Sequence, residues 1–246
     1  MISASDPGPV IWLRPTKPAR GPVPGYSRER IAEVAIAIAD AEGIEAVSMR
    51  RIAAELGTGA MTLYRYLPAK EDLYAVMIDQ AFGLEPQDAS GDVRADLDTL
   101  ARRYRSTLLR HPWLAGMAAG RPIMGPNLLR GNERDLALLD GHDLPIEEML
   151  GVLNLIRHWV GGEVQDELAD REAARRSGLD RDAWQARMAP YMRSLIETGE
   201  FPYLERMIYE AVGTGHDERF AHGLSILLDG IEARFAAIAP SRRTAD

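Results

Sequence analysis

The sequence predicts an all-α protein, with an N-terminal three-helix domain built on a helix-turn-helix and a larger helical domain behind it. Two observations carry this. Between Ser48 and Leu67, SMRRIAAELGTGAMTLYRYL, two short runs of helical periodicity meet at a glycine. From Asp92 onward, every recognisable segment repeats its apolar residues at three- and four-residue intervals, without strand alternation. Length agrees, since 246 residues suffice for a small domain plus a larger one.

In the first of these stretches Met49, Ile52, Ala53 and Leu56 share one helix face, and Gly57 stands where a helix stops in a left-handed conformation. A second short helix starting near Ala60 turns by about 100° per residue. Ala60, Leu63 and Leu67 then lie on its inner side, with Met61, Thr62, Arg65 and Tyr66 on its outer side. Ala53 is small enough for a close crossing, and Leu63 fills the angle between the two helices. Hydroxyls, a guanidinium and aromatic rings on the outer side suit phosphates and base edges in a major groove. An ordinary helical hairpin with a solvated face is the competing reading.

The chain has no cysteine, which excludes disulfides, thiol catalysis and Cys-ligated zinc and fits a reducing, cytoplasmic setting. No apolar run is long enough for a membrane span or a signal-peptide core. Net charge is −8, which at long range repels a polyanion. Residues 1–70, however, hold nine Lys and Arg against seven acids, net +2, so the remainder carries −10. A weakly basic end on an acidic body orients the molecule towards DNA and discourages non-specific coating.

Residues 1–25 are rich in Pro and Gly, with Arg14, Lys17 and Arg20 between the prolines, and read as a flexible basic arm. Such an arm either adds phosphate or minor-groove contacts or is an inert tail. Ser27 is placed to cap the first helix, with Tyr26 packing on Ile31 as a staple. Ile31, Val34, Ala35 and Ile38 form that helix's inner stripe, and Gly43 ends it. Beyond the motif Pro68 breaks the chain. A fourth helix then runs from about Ala69 to Phe82, with Glu71 and Asp72 in its first turn, where the helix dipole favours them.

The run from Tyr26 to Phe82, above all IAAELGTGAMTLYRYLPAKEDL from Ile52 to Leu73, resembles the DNA-binding domain of the TetR family of transcriptional regulators. The resemblance implies that the third helix enters the major groove while the second helix and the start of the fourth hold phosphates. Carried over by position, Arg50 contacts a phosphate or a base and Thr62 and Arg65 face the bases. Tyr64 and Tyr66 reach the backbone, and Lys70 clamps a phosphate. The helical wheel agrees on Thr62, Arg65 and Tyr66 but sets Tyr64 at the core's edge, ring half buried and hydroxyl outward. Two departures stand out: Gly59 and Ala69 replace residues that cap the third and fourth helices in the family, leaving backbone N–H groups to grip phosphate there.

Further along, Leu97, Leu100, Ala101, Tyr104 and Leu108 form one stripe, ended by His111 and Pro112. A short helix spans about Trp113 to Ala119, a Gly/Pro-rich joint follows to Pro126, and Leu128 to Leu139 is helical. Pro145 opens the longest helix, reaching at least Asp170. Others are expected over about Arg181 to Thr198, Pro202 to Val212 and Asp217 to Ile238. The division is thus an arm at 1–25, the helix-turn-helix domain at 26–70, an effector-binding and dimerisation domain at 71–240 and a disordered tail at 241–246. The family resemblance implies an effector pocket in the body and two helices that pair with a partner subunit. The long helix and the last, striped by Leu224, Leu227, Leu228, Ile231 and Phe235, are the candidates.

Gly161 and Gly162 sit mid-helix at about 1 kcal/mol each relative to Ala. Either a neighbouring backbone approaches closely there or the helix bends beside a cavity. Candidate pocket residues are Trp113, Met117, Asn154, His158, Trp159 and Tyr191, Asn154 and His158 being one turn apart and facing inward. Arg157 and Glu163 read as solvated. Any of the large side chains serves equally as core. His111 ends a helix, His216 and His222 lack paired metal-ligand spacing, and no Glu-x-x-His pair occurs, so neither metal nor cofactor is expected. Without a Gly-x-Ser-x-Gly elbow or a phosphate loop, no enzyme is expected either. The expected function is a homodimeric, ligand-responsive repressor that binds a palindromic DNA operator and is released by a small-molecule effector. The alternative, favoured by Gly59 and Ala69, is a helical small-molecule-binding protein or degenerate enzyme that does not bind an operator.

Overall fold

The computed structural model describes residues 10–14, 26–83, 88–117, 123–211 and 213–243, which hold eleven α-helices and no strand. The head is made of α1 (Arg28–Glu42), α2 (Met49–Glu55), α3 (Ala60–Tyr64) and α4 (Lys70–Ala81). The body follows as α5 (Val93–Arg110), α6 (Trp113–Met117), α7 (Pro126–Ala137), α8 (Ile146–Ser177), α9 (Arg181–Ile196), α10 (Pro202–Glu210) and α11 (His216–Arg243).

Ser27 caps α1 by accepting from the Arg30 N–H at 3.0 Å, and Ser48 caps α2 by accepting from the Arg51 N–H at 3.1 Å. Tyr26 does more than staple, because its hydroxyl donates to the Leu56 carbonyl and ties the entry of α1 to the exit of α2. Gly57 has φ +65°; its N–H donates to Ala54 O at 3.2 Å, and that of Thr58 donates to Ala53 O at 2.9 Å. Those two bonds are the Schellman arrangement, which ends α2 and turns the chain into α3.

Head packing centres on α1 against α4. Ile31, Ala35, Ile52, Leu63, Leu67, Leu73 and Met77 are all buried. A division at residue 70 therefore cuts through the packing, since α4 as far as Ile78 belongs with the head's core. In the body, α5 packs on α8, and α11 lies against both through Phe220, Leu224, Leu228 and Ile231.

Several expectations change at this level. The arm does not hold as a flexible unit: residues 10–14 form a 3-10 turn whose Ile11 is only 3% exposed in the core, while the rest of 1–25 lies outside the described residues. The apolar stripe of α11 is consumed within the chain, so it is not the face left for a partner. Asn154 and His158 are exposed, not inward. The buried series Val152, Leu153, Ile156, Val160 and Val164 fixes the inner side of α8, and Asn154 and His158 fall on the opposite side. Arg157 is not merely solvated, since it pairs with the buried Asp135 at 2.7 Å. At Gly161 and Gly162 an added Cβ would meet nothing within 4 Å, so no neighbouring backbone among the described residues accounts for them.

Candidate nucleic-acid interface and effector site

The recognition surface is built on two buried leucines. Leu63 and Leu67 are fully buried, and this anchors α3, at five residues too short to hold itself in water. Met61 is thereby forced outward at 77% exposure, with Tyr64 and Arg65 also exposed and Thr62 half-buried beside them. Tyr66 departs from the helical wheel. The helix ends at Tyr64, the next two residues form a turn, and the Tyr66 ring packs against the core.

Around α3 stand Arg50 on α2 and Lys70 at the start of α4, both exposed. Charge is distributed unevenly among the neighbouring cations. Arg51 is neutralised by Glu42 and Glu55 at 2.9 and 2.7 Å, whereas no carboxylate among the described residues pairs with Arg50 or Arg65. Lys70 lies over the Tyr74 ring, 5.1 Å from its centroid, and hydrogen bonding to Tyr74 holds its pKa up, so the ammonium stays charged. Neither Gly59 nor Ala69 supplies a side-chain cap, as their identities require. Asp72 accepts from the Ala69 N–H at 3.3 Å, the reciprocal half of a capping box, which leaves the first-turn N–H groups of α4 open.

Two polar joints tie head to body. The Asp40 carboxylate on α1 accepts from Trp113 Nε1–H at 2.7 Å and contacts His111 Nδ1 at 2.8 Å, at the junction of α5 and α6. The Asp79 carboxylate on α4 is buried and accepts from the N–H groups of Asn127 and Leu128 at 2.9 Å each, the free donors of the first turn of α7. Burial pushes its pKa up, and those two bonds oppose the shift.

The six candidate pocket residues stand in different settings, from buried to exposed. Trp113 is buried and engaged with Asp40, and Met117 is half-buried on α6. Trp159 lies half-buried between α8 and α11, 5.0 Å from the Phe220 ring and against Gly223, where a Cβ would come within 2.7 Å of it, and packs against the core. Tyr191 is exposed on α9, far in sequence from the α8 pair on the outer side.

A different set of functional groups comes together. Phe82 stacks on Tyr104 with centroids 5.6 Å apart, and Asp135 bridges Arg103 and Arg157 at 3.1 and 2.7 Å. Burial raises the Tyr104 phenol's pKa, with the Arg157 guanidinium opposing. At the same end of α4 as Phe82, the Gln80 Oε1 is buried without a hydrogen-bond partner among the described residues. Sequence offered one usable signal for this set: an Arg, an Asp and a Tyr falling on helix faces that are otherwise apolar.

No group of three or more metal-ligating side chains occurs among the described residues, and no described helix is long and apolar enough to cross a membrane.

Comparison with known proteins gives one answer. Residues 31–77 match the model for bacterial regulatory proteins of the tetR family, and residues 85–235 match that for the tetracyclin repressor-like C-terminal domain. The HTH-type transcriptional repressor DrrR1 of Streptomyces coeruleorubidus is 38% identical over 92% of this chain and 85% of its own length. An HTH-type transcriptional regulator of Saccharopolyspora erythraea is 30% identical over 94% of both chains. Among solved structures, apo ActR of Streptomyces coelicolor superposes with a TM-score of 0.73 at 28% identity, covering 88% of this chain and all of ActR. ActR in complex with actinorhodin gives 0.71 at 29% identity, covering 87% of this chain and 99% of ActR.

Proposed function

This chain belongs to the TetR family of bacterial transcription regulators, and from that premise we propose that it is a cytoplasmic, homodimeric repressor that reads a palindromic operator through α3 and releases it on binding a small organic effector. The observation that carries the reading is the arrangement of α3: two buried leucines beneath an exposed polar edge, with Arg50 and Arg65, which no carboxylate among the described residues pairs, and the charged Lys70 around it. Arg65 and Thr62 face base edges; Met61 and Tyr64 fill the groove wall; Tyr66, its ring against the core, reaches the backbone with its hydroxyl alone; Arg50 and Lys70 hold phosphates. The missing side-chain caps at Gly59 and Ala69 leave first-turn N–H groups open to accept a phosphate oxygen, which fits a head that binds DNA.

The test is a titration of duplex DNA from upstream of the chain's own gene, followed by fluorescence anisotropy. Specific binding that survives unlabelled competitor supports the reading, and none at low salt refutes it. Arg65→Ala is expected to cost about 1–3 kcal/mol and to relax sequence choice at one position of each half-site. An unchanged selection profile refutes base reading by Arg65. Lys70→Ala is expected to weaken all sequences alike and to reduce the slope of log K against log salt by about one per subunit.

Two faces support a dimer. On α8, Leu150, Gly151, Asn154, Leu155, His158 and Gly162 line an exposed side, and Ile226 and Gly230 continue it on α11. The four glycines at 151, 161, 162 and 230 have open space where a Cβ would stand, so no neighbour among the described residues requires them. They would let a second copy approach closely. Helices α9 and α10 bury no residue of their own yet expose Trp184, Tyr191, Tyr203, Met207 and Tyr209, and a partner surface would cover them too. Two-fold symmetry would then set the two α3 helices about 34 Å apart, on one face of a duplex.

ActR has been solved with actinorhodin bound. By analogy, this chain binds a small molecule, and the Phe82–Tyr104 stack with Arg157 beside it, and the Gln80 oxygen that has no partner among the described residues, would suit one that is aromatic and polar. A ligand wedged there moves the end of α4. The joints at Asp79 and Asp40 carry that movement to the head, and a coupling of about 1–3 kcal/mol suffices for release.

A further inference from the structure

We infer that residues 10–14 are a working part of the DNA-reading head and that Arg28 is the positioning residue that makes them so. The inference rests on the reading that α3 docks on DNA. A recognition helix of five residues cannot set its own direction, so whatever holds its exit decides where its outer side points. That exit is the loop from Tyr66 to Ala69, and its first carbonyl is gripped from α1: Arg28 Nε donates to Tyr66 O at 3.2 Å. The same guanidinium donates from Nη1 to Ile11 O at 2.8 Å and from Nη2 to Arg14 O at 2.9 Å.

The far end of the loop is tied to the same segment. Arg14 pairs with Asp72 at 2.8 Å, and the oxygen that receives it also accepts the Ala69 N–H that opens α4. Both ends of the loop between the recognition helix and the phosphate-facing end of α4 are therefore held by residues 10–14, one through Arg28 and one through Arg14. Ile11, buried at 3% exposure, pins the segment in the head's core, and Trp12 packs beside it. A solvated tail would bury no isoleucine and would not occupy a three-way guanidinium fork. The planar fork matters, since a lysine's single ammonium cannot serve three carbonyls in fixed directions.

The experiment uses the full chain and a duplex selected by it from a random-sequence pool, with a scrambled duplex as reference. Deletion of residues 1–14 and Arg28→Met are each expected to weaken the selected duplex about tenfold, the scale of one charge-assisted hydrogen bond, while leaving the scrambled duplex and the salt slope unchanged. The two changes combined should cost no more than either alone. Arg28→Lys should lose as much as Arg28→Met. Ile11→Ala and Arg14→Ala, which keep the chain at full length, carry the same expectation should the truncation fail to fold.

Wild-type affinity in the truncated chain, or additive losses, would overturn the inference. So would recovery by Arg28→Lys together with a salt slope reduced by about one per subunit in Arg28→Met, which would make Arg28 a phosphate contact. If the wild-type chain selects no duplex at all, it is the reading of α3 that fails, and that outcome is distinguishable from all the others.

Discussion

Gly125→Ala is expected to lower the free energy of unfolding by about 3 kcal/mol and the melting temperature by about 6–12 °C. Backbone conformation is not the cause, because Gly125 has φ −79° and ψ 159°, which alanine adopts freely. Space is the cause. A Cβ at this position would lie 2.1 Å from Asp79 Oδ1 and 2.7 Å from Asp79 Cβ, so the carboxylate must leave its place. In leaving, it abandons the N–H groups of Asn127 and Leu128 and remains a buried charge without partners. Denaturant titration of the variant measures the loss. Asp79→Asn keeps an acceptor oxygen in the same place and should cost far less than Asp79→Ala. Gly125→Ala should add little once Asp79 is already Ala, because the clash has gone. A Gly125→Ala protein within 0.5 kcal/mol of wild type would show that the Asp79 joint contributes nothing to stability. Since this joint ties α4 to α7, the variant should also bind operator with an affinity less sensitive to effector.

Leu155→Asp is expected to yield a monomer and to weaken operator binding by at least about 100-fold. In a single chain Leu155 is 48% exposed, and at such a position a polar replacement shifts stability by only about 0.5 kcal/mol. Across a two-fold interface the same change buries two like charges facing apolar surface, and each costs several kcal/mol. The folded monomer would keep its secondary structure and lose the tether that presents the second head to the second half-site. Sedimentation velocity and anisotropy on the same samples decide the matter. A persistent Leu155→Asp dimer would move the interface elsewhere, and a monomeric wild type that binds the palindrome with undiminished affinity would remove it.

The recognition unit was legible because everything that defines it is local. Ser27 as cap, Gly57 at positive φ, and Leu63 and Leu67 turned inward follow from spacings of a few residues, and the structure has each of them where the spacing puts it. The same holds for the order of the helices, whose starts and stops are written in Pro, Gly and capping residues. Long helices were less legible. Helix α8 carries apolar residues on more than one side, so periodicity by itself does not say which side faces in; Asn154 and His158 lie outward, against the spacing's expectation, while Arg157 is held by a buried carboxylate. The stripe on α11 was visible, but whether its cover came from this chain or another was not.

By itself, then, the order of residues determined the helical class, the turn geometry of the head and which of its leucines turn inward, because each depends on neighbours within one or two helical turns. Only the tertiary structure decided what is remote in the chain and adjacent in space. Ile11 lies under the head, Arg28 joins three carbonyls, Asp79 caps a helix some fifty residues away, and Asp40 reaches Trp113. Such contacts depend on how faces of comparable hydrophobicity choose one another, a choice settled by packing and by the pairing of buried polar groups, which no local pattern encodes.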